Sequence, residues 1–226
     1  MTQPTQAPEP ADEPFLAASD LACFRGDRLL FRGLDFAVRS GQALQVRGPN
    51  GCGKTTLLRM LCGLTRPESG VIRWRGRALA ARDPEFLREL RYVGHSDGVK
   101  LALTPRENLR ALMALGGFAD ASAPHASHEA ALETALARLA LAEFIDVPCR
   151  TLSAGQRRRV ALARLALGDS RLWLLDEPFT ALDATGSEAV HALVDAHLQR
   201  GGCAVLTSHQ SIRLDAARCT SVELGR

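Results

Sequence analysis

The sequence lacks several features that would assign it to a membrane-spanning, secreted or nucleic-acid-binding class. No run approaches eighteen apolar residues, so no segment is suited to cross a membrane as a helix. The first residues lack the basic and then apolar order of a signal peptide. Basic residues number 28 and acidic residues 25, and this near balance disfavours nucleic acid as the main partner. No C-x-x-C pair occurs, which indicates free thiols in a reducing compartment, since the six cysteines are widely spaced at 23, 52, 62, 149, 203 and 219.

The composition instead predicts one globular α/β domain. Hydrophobic residues make up 46% of the 226 positions, which is enough to bury an ample core. Residues 1–14 are rich in Pro, Gln, Glu and Asp, and we expect a disordered leader there. From 15 to 226, apolar runs alternate with helical patterns, which predicts a largely parallel sheet covered by helices. The strand signal vanishes between about 96 and 165, so we expect a helical subdomain inserted between core segments 15–95 and 166–226.

Individual elements can also be placed from their patterns. Helices are predicted at Pro105–Leu115 and at 129–141, the second with Leu132, Leu136 and Leu139 on one face. A third helical pattern runs from about 155 to 167. Strands are predicted at 43–47, 71–74, 91–94, 172–175 and 203–207.

The most informative motif is the segment from Gly48 to Thr55, which reads GPNGCGKT and fits the phosphate-loop pattern G-x-x-x-x-G-K-[ST]. Its glycines let several backbone N–H groups point at one anion, and the following helix start adds positive dipole. Lys54 can reach the terminal phosphates, and the Thr55 hydroxyl is placed to hold Mg²⁺. A chance match in a Gly-rich turn is the alternative, but the flanking strand and helix patterns disfavour it. The residues expected to contact nucleotide here are Gly48, Pro49, Asn50, Gly51, Cys52, Gly53, Lys54, Thr55 and Thr56.

A second motif is the pair of carboxylates Asp176 and Glu177, which follows four apolar residues and precedes Pro178. Open α/β sheets bind ligands at the carboxyl ends of their strands, so this pair is expected beside the phosphate loop. Asp176 can then hold Mg²⁺ through water, and Glu177 can polarise a water aimed at the γ-phosphate. The alternative is that Asp-Glu-Pro merely ends a strand and begins a turn.

A third motif, Leu152-Ser-Ala-Gly-Gln156, lies about twenty residues before this acidic pair. Ser153 is a natural N-cap, so the segment could simply be a capped helix. However, L-S-x-G-Q followed by Arg-Arg and then Ala-Leu-Ala-Arg resembles the signature of ABC-type ATPases. The resemblance extends over nearly everything from 21 to 224. It implies a P-loop NTPase fold with a RecA-like ABC core, an inserted α-helical subdomain and a short antiparallel β part near the N-terminus.

The same resemblance implies a set of roles. ABC-type ATPases bind ATP with Mg²⁺ and hydrolyse it between two copies arranged head to tail. The signature residues Ser153, Gly155 and Gln156 of one copy would close over the γ-phosphate bound to the other. His209 matches the position of the switch histidine after the last core strand, although a lone histidine there is more often a surface residue. Each site element occurs once in this chain, so a symmetric homodimer is the simplest arrangement.

Two further residues, Phe24 and His95, are candidates for the nucleotide site. Phe24 lies about as far before the phosphate loop as the adenine-stacking aromatic of similar ATPases, and a core Phe on the first strand is the alternative. His95 stands where ABC ATPases usually carry a Gln near Mg²⁺, and its imidazole geometry differs from that of an amide. The pattern around His95, from Tyr92 to Leu109, resembles the cytochrome c maturation subgroup of these ATPases.

The subgroup implies partners. Its ATPases act at the cytoplasmic face of the bacterial inner membrane, dock on two integral membrane subunits, and serve a periplasmic heme chaperone indirectly. Three alternatives remain at this point: a transport ATPase for another substrate, a soluble ABC-type ATPase acting on DNA or ribosomes, and a small-molecule kinase or GTPase. The chain has no second nucleotide cassette and no N-K-x-D guanine motif, which disfavours the last two.

Overall fold

Nine strands form two sheets in the computed structural model, which describes residues 13–115, 125–208 and 212–225. The antiparallel sheet contains, in spatial order, β2 (Arg28–Val38), β1 (Leu16–Arg25), β4 (Ser69–Trp74) and β5 (Arg77–Ala78). The parallel sheet contains, in spatial order, β6 (Leu90–Val93), β7 (Leu172–Leu175), β8 (Cys203–Thr207), β3 (Ala43–Arg47) and β9 (Cys219–Glu223).

These two sheets confirm the predicted fold class. The expected strands at 43–47, 172–175 and 203–207 match β3, β7 and β8 residue for residue. The expected strand at 71–74 belongs to β4, in the antiparallel sheet. That sheet is more extensive than the short part expected, since β1 has 10 residues and β2 has 11. Of the expected leader at 1–14, residues 1–12 lie outside the described residues.

The parallel sheet separates two hydrophobic cores. Side chains of a strand alternate between the two faces, and all four residues of β7 are buried. Leu172 and Leu174 face the core that the antiparallel sheet shares with α1 (Lys54–Leu61) and α2 (Pro84–Glu89). Trp173 and Leu175 face the opposite core, which α6 (Ala184–Gln199) and the helices between β6 and β7 cover. The continuous apolar run of β7 therefore reflects burial on both faces.

The segment between β6 and β7 is helical, with no strand among its described residues. It contains α3 (Pro105–Leu115), α4 (His125–Arg138) and α5 (Ala154–Ala163), and 3₁₀ turns lie at Ala142–Phe144, Cys149–Thr151 and Arg164–Ala166. The boundaries of the expected subdomain, about 96 to 165, stay a prediction. Across the part of the chain described here, no helix has both the length and the apolar character needed to cross a bilayer.

Two helix predictions need correction. The pattern at 129–141 predicted both ends of α4 too late. Its end lies earlier because Ala140 adopts a left-handed φ of 53° and the N–H of Leu141 turns back to the carbonyl of Leu136. Leu132, Leu136 and Leu139 are nevertheless fully buried, as their shared face predicted. The pattern at 155–167 predicted one helix, but the structure has α5 followed by the 3₁₀ turn that ends at Ala166.

Candidate nucleotide-binding site

The phosphate-loop segment connects strand β3 to helix α1. Gly48 has a φ of 139°, and a Cβ there would lie 2.5 Å from the carbonyl oxygen of Leu224 and 2.7 Å from Sγ of Cys52. Gly53 caps α1 with a φ of 109°. The Lys54 side chain is buried and folds back under the loop, where Nζ donates to the carbonyls of Gly48 at 2.8 Å and Pro49 at 3.1 Å. The segment thus curls around one ammonium group at a helix N-terminus, an arrangement suited to a phosphate chain.

The acidic strand end lies next to this loop, as the sequence predicted. Asp176 is 1% exposed, and its two carboxylate oxygens have different partners. Oδ2 accepts a 2.8 Å hydrogen bond from the hydroxyl of Thr55, and Oδ1 accepts one of 2.8 Å from the hydroxyl of Thr207. Thr207 is the last residue of β8, the strand between β3 and β7. The ends of β7 and β8 and the start of α1 therefore bring one carboxylate and two hydroxyls together.

Thr207 was not singled out by the sequence reasoning. It is fully buried, and its hydroxyl accepts a 2.8 Å hydrogen bond from the backbone N–H of Glu177 while it donates to Asp176. It thereby holds both residues of the acidic pair. A hydroxyl at the end of an otherwise apolar strand was the only available signal, and that signal becomes specific only once β8 is known to lie beside β7.

Glu177 borders three cavities. Its backbone has a left-handed φ of 50°, which turns the chain sharply after β7. One cavity, of about 160 Å³, is lined by Glu177 and by phosphate-loop residues that include Asn50, Lys54 and Thr55. A second, of about 140 Å³, is lined by Glu177 together with His95, and a third, of about 360 Å³, by Glu177 together with Ser208. The side chain oxygen Oε2 accepts a 3.3 Å hydrogen bond from Thr180.

The donor atoms of this site fit Mg²⁺. The Thr55 hydroxyl and the Asp176 carboxylate are hard oxygen donors, and they already lie within 2.8 Å of one another. Mg²⁺ takes few protein ligands and completes its shell with phosphate oxygens and water. His95 is exposed in the loop after β6. It lines the cavity of about 140 Å³ and not the cavity that contains Thr55. Its role as a metal ligand stays a prediction.

The signature residues open helix α5 as a capping box. The Ser153 hydroxyl accepts from the N–H of Gln156 at 3.1 Å, and Oε1 of Gln156 accepts from the N–H of Ser153 at 2.8 Å. Gly155 allows close packing, because a Cβ there would lie 2.6 Å from the carbonyl oxygen of Ala181. None of these three lines the cavity at the phosphate loop of the same chain. Ser153 is exposed, so it is accessible to a second molecule.

Of the two remaining predicted site residues, Phe24 and His209, the structure describes only Phe24. Phe24, near the end of β1, is 41% exposed, so it is not the core residue that was the alternative. The next residue, Arg25, lines the phosphate-loop cavity together with Leu30, and Phe24 does not. Stacking on adenine stays a prediction. His209 lies outside the described residues.

A strand of a parallel sheet joined to a helix by a phosphate loop, with an acidic strand end beside it, defines a P-loop NTPase. The sequence matches the ABC transporter family over residues 31–180, and the chain belongs to this family. As an ABC ATPase it hydrolyses ATP to drive a transporter.

Relatives and solved structures agree with this assignment. The chain is 52% identical to the cytochrome c biogenesis ATP-binding export protein CcmA of Aromatoleum aromaticum, over 87% of this chain and 89% of that protein. It is 48% identical to the protein of the same name from Methylococcus capsulatus, over 92% of this chain and 97% of the relative. The fold resembles an ATP-binding subunit of an ABC transporter with a TM-score of 0.75 and 26% identity, over 93% of this chain and 85% of the other.

Proposed function

We propose that this chain is the ATP-hydrolysing subunit of a membrane ABC complex for cytochrome c maturation, which couples hydrolysis to heme export or to the release of heme to a periplasmic chaperone. Relatives that are 52% and 48% identical over most of both chains carry the name of a cytochrome c biogenesis ATP-binding export protein. The observation that carries the ATPase chemistry is the Thr55–Asp176 hydrogen bond, which joins the phosphate loop to the acidic strand end.

The reaction follows from these side chains. Lys54 and the loop N–H groups bind the β- and γ-phosphates of ATP. Thr55 and Asp176 hold Mg²⁺, which supplies charge neutralisation for the phosphate oxygens when bound. Glu177 accepts a proton from a water whose oxygen bonds to the γ-phosphorus. The bond from that phosphorus to the bridging oxygen breaks, and the products are ADP and inorganic phosphate.

A second copy of the chain completes the site in this proposal. The exposed N-terminus of α5 in one copy meets the ATP held by the phosphate loop of the other, through Ser153, the Gly155 N–H and the helix dipole. The phosphate contacts hold the two copies together only while the γ-phosphate remains, so hydrolysis reopens the pair. The pair docks on two integral membrane subunits at the cytoplasmic face of the inner membrane and serves the heme chaperone indirectly. Nucleic acid is not a partner.

A transporter for another substrate is the competing function, and co-purification separates the two. Affinity purification of the tagged chain from membranes should bring along two small integral proteins and a heme-handling factor. Recovery of membrane subunits with an unrelated solute-binding protein would contradict the cytochrome c assignment and leave the ATPase intact.

The nucleotide chemistry has its own test. Calorimetric titration with MgATP should give binding to the wild-type chain and no resolvable heat for Lys54→Ala. A folded wild-type protein that binds no MgATP would overturn the ATPase proposal itself.

A further inference from the structure

The guanidinium of Arg158 on α5 occupies a buried position beneath the loop that follows β6. Its side chain is only 5% exposed. Nη1 donates to the carbonyl of Gly94 at 2.9 Å and to Oδ1 of Asp97 at 3.0 Å, with a longer contact of 3.4 Å to the carbonyl of His95. One nitrogen thus fixes the loop that carries His95.

The other terminal nitrogen of Arg158 binds the catalytic strand end. Nη2 donates to the carbonyl of Asp176 at 2.6 Å and to the carbonyl of Glu177 at 3.0 Å. These carbonyls belong to the sharp turn in which Glu177 holds a left-handed φ of 50°. A planar guanidinium holds two groups at a fixed angle, so the position of α5 and the geometry of this turn are linked through one rigid group.

A second arginine braces the same loop. Arg164, in the 3₁₀ turn after α5, donates from Nη2 to the carbonyl of Asp97 at 2.7 Å. The loop after β6 is therefore attached twice to the α5 segment, and only Arg158 extends that attachment to Glu177. Neither arginine lines the phosphate-loop cavity, whereas Arg158 lines the cavity that Glu177 shares with His95.

We propose that Arg158 is a positioning residue that couples the two ATP sites of the dimer. This inference rests on the proposed function, in which the signature residues at the start of α5 complete the site of the partner molecule. Arg158 lies on the same helix and holds the Glu177 turn of its own chain. A shift of α5 that follows ATP capture in the partner's site therefore moves the Glu177 turn and the His95 loop in this chain. Each site becomes competent for hydrolysis when the other is filled.

Arg159 offers a matched control on the same helix. Arg159 is buried like Arg158, with 7% of its surface exposed. Its Nη1 also donates to two carbonyls, those of Leu139 and Ala140, at 3.1 Å each. These partners follow α4 and do not line any of the three cavities beside Glu177. Replacing either arginine removes a buried guanidinium, but only one replacement disconnects α5 from Glu177.

The test compares Arg158→Lys with Arg159→Lys in the full-length chain. Steady-state ATPase rates against MgATP concentration give kcat, KM and the Hill coefficient, and thermal unfolding gives stability. A lysine ammonium does not reproduce the two-sided guanidinium fork. For Arg158→Lys we expect kcat to fall about tenfold, KM to change less than about twofold, and the Hill coefficient to fall from about 2 towards 1. Arg159→Lys should lose comparable thermal stability and keep the wild-type Hill coefficient.

Asp97→Asn is a second variant for the case in which Arg158→Lys does not fold. Asp97 is partly exposed, and the change weakens one of the anchors of Arg158 without removing the arginine. A smaller fall in kcat and in the Hill coefficient is expected. Wild-type cooperativity in Arg158→Lys or, failing that, in Asp97→Asn would overturn the coupling, as would an equal loss of cooperativity in Arg159→Lys. A wild-type chain that neither binds nor hydrolyses MgATP would instead refute the proposed function, so the two failures are distinguishable.

Discussion

The hydroxyl of Thr55 donates a 2.8 Å hydrogen bond to Oδ2 of Asp176, a residue 121 positions further along the chain. This bond joins the first turn of α1 to the end of β7, across the end of the intervening strand β8. It brings together the two oxygen donors that we assign to Mg²⁺.

Asp176→Asn should separate nucleotide binding from magnesium use. The amide keeps the size of the side chain but removes its charge, so Mg²⁺ loses its carboxylate ligand. We expect ATPase activity to fall by about a hundredfold or more, while binding of ATP measured without Mg²⁺ stays within a few-fold of wild type. A magnesium titration of activity checks the assignment. An unchanged magnesium requirement with normal turnover would show that Asp176 does not hold the cation.

Glu177→Gln should trap a dimer loaded with ATP. The amide preserves the shape of the turn but does not accept the proton of the attacking water, so the γ-phosphate that joins the two copies persists. Size-exclusion chromatography with ATP and Mg²⁺ should show a stable dimer for this variant, and a mixture dominated by monomer for the wild-type chain after turnover. Lys54→Ala in the Glu177→Gln background is the control, because it removes phosphate binding and should return the protein to monomer. A Glu177→Gln protein that binds ATP and yet stays monomeric would contradict the proposal.

Ser153→Arg tests whether the signature acts on the partner molecule. Ser153 is exposed and lines no cavity at its own phosphate loop, so a large side chain there should not disturb nucleotide binding within one chain. It should block closure of the dimer by its bulk. We expect ATP affinity of the monomer to stay within about twofold of wild type and ATPase activity to fall by about a hundredfold.

Ser153→Ala provides the matched control for the local cap. It removes the hydrogen bond to the Gln156 N–H, which should cost about 1 kcal/mol of stability, and it also removes the hydroxyl that faces the partner's ATP. Because it adds no bulk, it should lower turnover much less than Ser153→Arg does. Normal turnover in Ser153→Arg would rule out the arrangement in which one copy completes the site of the other.

The sequence predicted the parts of the site that are short and local, and missed those that depend on strand order. The phosphate loop and the start of α5 are each specified by a short run of consecutive residues, so their patterns are visible along the chain. Asp176 was predictable because four apolar residues precede it. The roles of Thr207 and Arg158 depend on β8 lying beside β7 and on α5 packing under the loop after β6. Those contacts join positions 31 and 64 residues apart, as in the bonds from Thr207 to Asp176 and from Arg158 to Gly94.

The adenine contact of Phe24 stays a prediction that rests on its spacing from the phosphate loop. Phe24 is 41% exposed, and its strand neighbour Arg25 lines the phosphate-loop cavity. Side chains alternate along a strand, so spacing alone does not decide which of two adjacent residues faces the nucleotide.

His197 on α6 is a buried histidine that should make the stability of this protein sensitive to acid. It is 4% exposed, and its ring stacks on Trp173 with centroids 3.7 Å apart and planes 7° apart. Nε2 lies 3.1 Å from the carbonyl of Cys203, so the neutral tautomer that donates to this oxygen fits the site. Burial, assisted by the nearby charge of Arg200, lowers the pKa of His197 from 6.5 to about 4, although the hydrogen bond to Cys203 opposes the shift.

The direction of the pH effect follows from this lowered pKa. Between pH 6.5 and about 4 the unfolded chain binds a proton at His197 and the folded chain does not, so the free energy of unfolding falls as the pH falls. The full contribution is about 3 kcal/mol, present above pH 6.5 and lost towards pH 4. His197→Phe, which keeps an aromatic ring against Trp173, and His197→Gln, which keeps a hydrogen-bond donor, both remove the titrating group. Urea unfolding at several pH values between 7.5 and 4.5 should show a shallower acid loss for both variants than for the wild-type chain. An acid loss of wild-type steepness in both variants would assign the effect to other groups.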